Sequence, residues 1–211
     1  MKDTFIKYNL KTLKYKTKQE MIEKLYLKSI IDSYDRISKT VDIENSIRDR
    51  FVKDLYKNES PLKKWIDVKF IRVQWENWVF SEDEDDLGRI DLIFQSIGSD
   101  FIIECKRLKM IDKKYFTQGL KRFIELKYAK GEEYAAMLGF VVSGDQKRIC
   151  TGLEIMSNKY NPISNDFTTT PFILWNPNFK SAHERNDFTV IGIYHLFFDF
   201  SSSVLDSFTA N

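Results

Sequence analysis

The sequence predicts an α/β fold with a mixed central sheet flanked by helices, and three observations carry that prediction. Gly88-Arg-Ile-Asp91-Leu-Ile-Phe-Gln and Phe101-Ile-Ile-Glu104-Cys105-Lys106 are two apolar strands, joined by the turn-rich segment Ser96-Ile-Gly-Ser-Asp100 that favours a hairpin. The periodic segments around them run helix, three strands, helix, strand. A hydrophobic fraction of 43% with 17 phenylalanines is ample for a packed core in a 211-residue chain, a length that fits one domain.

Each element has its own signal. Met21, Ile22, Leu25, Ile30 and Ile31 mark a first helix over 18–38. Thr40-Val-Asp42 reads as an N-cap region for a second helix that starts near Ile43 and turns Ile43, Ile47, Phe51 and Leu55 inward. Asn58-Glu-Ser-Pro61 ends it. Alternation of Val68, Phe70, Ile71, Val73, Trp75, Trp78 and Val79 predicts one long or bent strand over 67–80. An acidic loop, 81–88, leads into the hairpin. A helix over 112–130, a strand over 135–142 and a helix over 143–158 follow. Residues 172–175 and 188–200 read as closing strands. Residues 1–40 read as a basic helical extension and 41–211 as the main domain.

Composition excludes several classes. Net charge is only +2, so bulk charge does not make this a polyanion binder. Lys2, Lys7, Lys11, Lys14, Lys16 and Lys18 crowd the N-terminus, either as an arm for phosphate backbone or as a solvated segment. Cys105 and Cys150 form no CxxC pair, and no secretory signal is evident, so a reducing cytoplasm is the expected location. No apolar run approaches membrane-spanning length; residues 191–200 are strongly apolar but short, and read as a buried strand.

Chemistry concentrates on the hairpin. Alternation turns Glu104 and Lys106 to one face and Cys105 to the other, into the core. A hairpin of this length brings Asp91 close to Glu104. Two carboxylates that close repel, a divalent cation relieves the repulsion, and oxygen ligands suit Mg²⁺ or Mn²⁺.

Asp91 followed by Glu104-Cys105-Lys106 resembles the signature of the PD-(D/E)XK nuclease superfamily, the restriction-endonuclease-like fold: an acid, a variable gap, then Asp/Glu-x-Lys on an adjacent strand. Ile90 stands where a proline often precedes the first acid. The resemblance implies an αβββαβ core and Mg²⁺ held by Asp91, Glu104 and the backbone carbonyl of Cys105. It implies that Lys106 orients or deprotonates the attacking water. Glu44, at the edge of the second helix's buried face, matches a helical glutamate that completes the metal site in many members; alternatively it only opens the helix as a first-turn acid. Gln118 matches a glutamine of the following helix that faces the active site, or is an exposed polar residue. Arg122 stands where a RecB-like member has tyrosine, and suits phosphate contact.

Near the C-terminus, Ser181-Ala-His183-Glu-Arg185 resembles tails of some restriction-like bacterial proteins, and His183 and Arg185 are candidate substrate contacts on a loop. His195 lies in an apolar strand and reads as a hydrogen-bonded core histidine. The resemblance therefore implies a Mg²⁺-dependent deoxyribonuclease of restriction or phage defence, with DNA as its partner and a homodimer or defence complex as its assembly. The alternatives are a catalytically silent nucleic-acid-binding module of the same fold, and a plain α/β domain in which Glu104 and Lys106 form a surface ion pair.

Overall fold

A computed structural model describes residues 2–79, 88–160 and 175–201. The helices are α1 (Lys2–Leu13), α2 (Lys18–Met21), α3 (Lys28–Arg36), α4 (Glu44–Lys57), α5 (Lys63–Asp67), α6 (Lys121–Ile124) and α7 (Gln146–Ser157). Two π-helical turns interrupt them, Ile22–Leu27 between α2 and α3, and Phe116–Leu120 before α6. The strands are β1 (Arg72–Val79), β2 (Gly88–Ser96), β3 (Ser99–Leu108), β4 (Tyr134–Val141), β5 (Asn178–Glu184) and β6 (Val190–Asp199).

The strands form one six-stranded mixed sheet in the order β1-β2-β3-β4-β6-β5. β1, β2 and β3 are antiparallel neighbours, whereas β3–β4 and β4–β6 are parallel. Parallel neighbours need crossovers. The π turn with α6 supplies the first, and α7 lies on the second. The α/β class expected from the sequence is therefore present.

One face of the sheet packs Leu92, Phe94, Ile103, Cys105 and Phe140 against Ile22, Tyr26 and Ile30, and against Ile47, Phe51 and Leu55 of α4. The other packs Ile93, Ile102, Met137 and Phe197 against Phe116, Leu120 and Phe123, and against Ile149 and Leu153 of α7. Residues 18–36, expected within an N-terminal extension, thus share the sheet's core. Lys2, exposed, and Lys18, buried, both bind Glu132, at 2.8 and 2.5 Å. Among the described residues, no helix is long and apolar enough to cross a membrane.

Packing is close at Gly139 on β4. A Cβ there would lie 2.5 Å from the Phe197 ring and 2.8 Å from Leu108 Cδ1. Gly139→Ala is expected to destabilise the protein by about 2 kcal/mol, the typical cost of overpacking, read as a lower urea midpoint at unchanged slope.

Several expectations need correction. The long strand over 67–80 is instead α5 and then β1. Lys69 takes a left-handed conformation (φ 59°), and the Phe70 and Ile71 amides both donate to Trp65 O, at 2.9 and 3.1 Å. This cap ends a helical turn that strand-like letters disguised. Val68 is consequently exposed, as is Ile43, which is the N-cap of α4 and no part of its inward stripe. The helix expected over 112–130 ends near Ile124, because Leu126 is left-handed (φ 61°) and Tyr128 N returns to Arg122 O. β5 was not anticipated, since Asn178, Lys180, Ser181, His183 and Glu184 give it a polar reading. Phe188, expected to start the last strand, is an exposed left-handed turn residue. The acidic loop over 81–87 and the strand residues 172–174 lie outside the described residues.

Candidate active site

The β2–β3 register places the two acids. Leu92 pairs with Ile103, so one further step sets Asp91 opposite Glu104. The regular ladder stops at that step. The Asp91 carboxylate reaches across instead, and its Oδ2 accepts the Cys105 amide at 2.8 Å. On its other side the β1 ladder skips the position facing Asp91, where Glu76 has a positive φ of 52°. Asp91 therefore sits in a local break of the sheet, buried, with its side chain turned into the gap between strands.

Glu104 is fully buried. Its Oε1 accepts Lys106 Nζ at 2.5 Å and Arg122 Nη1 at 3.0 Å. Its Oε2 is buried with no hydrogen-bond partner. Glu104 and Lys106 do share a face, as alternation requires, and Cys105 lies in the core on the opposite one. Burial pushes the Cys105 thiol well above its ordinary pKa, which suits an inert packing residue. Burial also raises the Glu104 carboxyl to about 7, helped by Asp91 and opposed by Lys106 and Arg122. Burial alone would lower the Lys106 pKa. The Glu104, Glu44 and Asp91 carboxylates outweigh it, and the ammonium is held above its ordinary range.

Glu44 opens α4 and joins this group. Its Oε2 accepts the Arg107 amide at 2.6 Å, beyond Lys106 on β3. Burial raises its pKa, Lys106 and the Arg107 amide oppose that, and Asp91 adds to it. Glu44 and Glu104 thus each interact electrostatically with Asp91 and Lys106. Gln118 is exposed on the π turn. Arg122, read as a phosphate contact, donates to Glu104 Oε1 at 3.0 Å and to the Tyr128 hydroxyl at 2.9 Å. Tyr128 in turn donates to Arg89 O at 2.7 Å.

Two neighbours were given no role by the sequence reading. Arg48, one turn after Glu44, is buried and donates to Asp91 Oδ1 at 3.4 Å, Asp49 at 2.7 Å and Glu76 at 3.0 Å. Its place on the stripe between Ile47 and Phe51 was the available signal, because an arginine on a buried face must find acids there. Tyr128 lies in the loop after α6, where no periodicity points to the site.

His183 and Arg185 are not on a loop facing solvent. His183 is in β5 and Arg185 immediately follows it, and both are buried. Arg185 Nη2 donates to Glu132 O at 2.8 Å. His183 ends a buried chain. Its Nδ1 faces Tyr160 O at 2.9 Å and its Nε2 faces Ser181 Oγ at 2.7 Å. Ser181 Oγ faces His195 Nε2 at 2.8 Å, and Tyr115 Oη faces His195 Nδ1 at 3.0 Å. A carbonyl only accepts, so His183 Nδ1 must donate. Every later proton then has one position: Ser181 donates to His183, His195 to Ser181, and Tyr115 to His195. Both imidazoles are neutral, and burial lowers both pKa values.

A base whose folded pKa lies below its unfolded value of about 6.5 takes up protons on unfolding. The contribution is complete above pH ~6.5 and is lost as pH falls through the window below it. In Glu104→Gln, which removes the raised carboxyl that titrates in the opposite sense over this window, the melting temperature is expected to drop steadily between pH 7 and pH 5, as differential scanning calorimetry can read. A flat profile would show that neither ring is kept neutral by the fold.

The donor set fits a hard divalent cation in kind. It is all oxygen, and the orphaned Glu104 Oε2 is a buried anionic acceptor with nothing to accept from. The fit is incomplete in arrangement. Among the described residues, no group of three His, Cys, Asp or Glu side chains is gathered so as to hold a metal ion. Lysine and arginine side chains occupy Glu104 Oε1 and Asp91 Oδ1, and backbone amides occupy Asp91 Oδ2 and Glu44 Oε2. No family model, curated protein or solved structure matches this chain.

Proposed function

We propose that this chain is a divalent-cation-dependent nuclease that hydrolyses phosphodiester bonds of nucleic acid, DNA in the first instance, on a restriction-endonuclease-like core. One observation carries the reading. Asp91 and Glu104 stand opposite each other at a break in the sheet, with Lys106 on the same face and a Glu104 oxygen that has no partner. A buried carboxylate oxygen without a donor is costly, and a bound cation removes that cost.

Asp91, Glu104 and the Cys105 carbonyl would hold the ion, with Glu44 adjoining. A bound Mg²⁺ or Mn²⁺ supplies a Lewis acid and a water of lowered pKa. Lys106 contributes a fixed positive charge beside the position of a scissile phosphate. The surrounding carboxylates keep the ammonium charged, which supports this electrostatic role beside the orienting or deprotonating role that the resemblance implies. Arg48 keeps Asp91 oriented.

The test is supercoiled plasmid incubated with the protein and Mg²⁺, Mn²⁺ or EDTA. Nicking that EDTA abolishes is the expected outcome. A second reading has its own observation: Arg48, Lys106 and Arg122 already neutralise the carboxylates, as suits a catalytically silent nucleic-acid-binding module. That reading expects a metal-independent gel shift and no cutting.

A further inference from the structure

Glu104 carries one negative charge and receives two cationic donors, Lys106 and Arg122, both on Oε1. Asp91 has a third cation beside it, Arg48. A divalent ion approaching Glu104 Oε2 therefore meets two protein cations already seated on the same carboxylate. Like charges at that range oppose binding, the more so in a buried site. One of the cations must leave for the ion to be held well.

The three differ in their freedom to leave. The Arg48 side chain is 2% exposed and is gripped by Asp49 and Glu76 as well. Lys106 is 18% exposed and is tied to Glu104 through two residues of the same strand. Arg122 is 37% exposed and reaches Glu104 from a different element, α6. Its departure leaves no orphan behind: the Tyr128 hydroxyl keeps Arg89 O, and Glu104 keeps Lys106. A guanidinium at the surface of such a site has one strong alternative partner, a phosphate oxygen pair, which it binds through two parallel hydrogen bonds.

We infer that Arg122 is an exchangeable cap on Glu104, which a phosphodiester anion draws away so that anion and divalent cation bind this site cooperatively. The inference rests on the metal-dependent reading above and adds a regulation to it. Without anion, the cap keeps cation affinity low. With anion, the same arginine turns from competitor to ligand clamp. Coupling of this kind is reciprocal, so the cation must strengthen anion binding by the same factor.

The experiment is a Mn²⁺ titration followed by the electron paramagnetic resonance of free Mn²⁺, with and without excess dimethyl phosphate as the diester probe. Parent protein, Arg122→Gln, Arg122→Lys and Glu104→Gln are compared. For the parent protein, dimethyl phosphate is expected to tighten Mn²⁺ binding roughly tenfold, within the usual range of coupling between sites. Arg122→Gln should bind Mn²⁺ roughly tenfold more tightly than the parent without anion and gain little from it. Arg122→Lys, which keeps the charge, should stay near the parent without anion. Glu104→Gln should not bind.

Unchanged Mn²⁺ affinity of the parent protein on adding dimethyl phosphate overturns the inference, and needs no variant to fold. Equal affinity of Arg122→Gln and parent also overturns it; if Glu104→Gln still abolishes binding, the metal site itself stands. Absence of Mn²⁺ binding in every protein removes the metal-dependent reading together with the cap.

Discussion

Supercoiled plasmid is expected to survive incubation with the Lys106→Ala protein and Mg²⁺ under conditions in which the parent protein nicks it. The lysine nitrogen lies 2.5 Å from Glu104 Oε1, on the face shared by both acids, and its charge is maintained by three surrounding carboxylates. Loss of one fixed charge or proton-transfer group at a reacting phosphate typically costs about 10² to 10⁴ in rate. The fold should tolerate the change, because Glu104 retains Arg122 on the same oxygen. The comparison is therefore a cleavage rate against a circular-dichroism melting curve. A rate lowered at least a hundredfold with a near-parental melting temperature is the expected pair of results. Full cutting by the variant would remove Lys106 from the chemistry.

Arg48→Met is expected to have the largest effect on stability, a loss of about 3 kcal/mol in urea unfolding. Arg48 is the charged partner of buried Asp91 and also holds Asp49 and Glu76. Methionine conserves much of the apolar stem and leaves Asp91 charged, buried and bonded only to the Cys105 amide. The cost is dominated by that stranded charge rather than by the ion pair itself. Adding Asp91→Asn should therefore restore part of the loss, since a neutral amide needs no counter-charge. Two additive losses would instead indicate that Arg48 acts mainly through Asp49 and Glu76.

Much of the sheet was legible in the sequence because β2, β3 and β4 are apolar on both faces or alternate cleanly. The hairpin turn at Gly98, left-handed at φ 72°, was marked by its own residues. The first helix was legible too, although π winding at 22–27 leaves no trace in a pattern read at 3.6 residues per turn. β5 was hidden because its polar residues are satisfied inside the fold. Ser181, His183 and His195 complete one another's hydrogen bonds, so a strand that looks solvated is buried. The same blindness misplaced His183 and Arg185, since a sequence gives a residue's polarity but not its partners.

The site was legible to the extent that local geometry sets it. Glu104 and Lys106 share a face of one strand by necessity, and a hairpin register carries the second acid, Asp91, opposite. Arg48 and Tyr128 come from distant segments, and only the packed fold brings them in. The sequence reading also assumed that converging acids must be relieved by a metal ion. Three protein cations supply part of that relief, and the unpartnered Glu104 oxygen is what remains for an ion to satisfy.

Anomalous diffraction from crystals soaked in MnCl₂ tests the central claim most directly. A single strong manganese peak, within coordinating distance of both Asp91 and Glu104 and absent from Glu104→Gln crystals, is the result expected. An empty site, with Arg48, Lys106 and Arg122 still seated on those carboxylates at millimolar Mn²⁺ and in the presence of dimethyl phosphate, would contradict it.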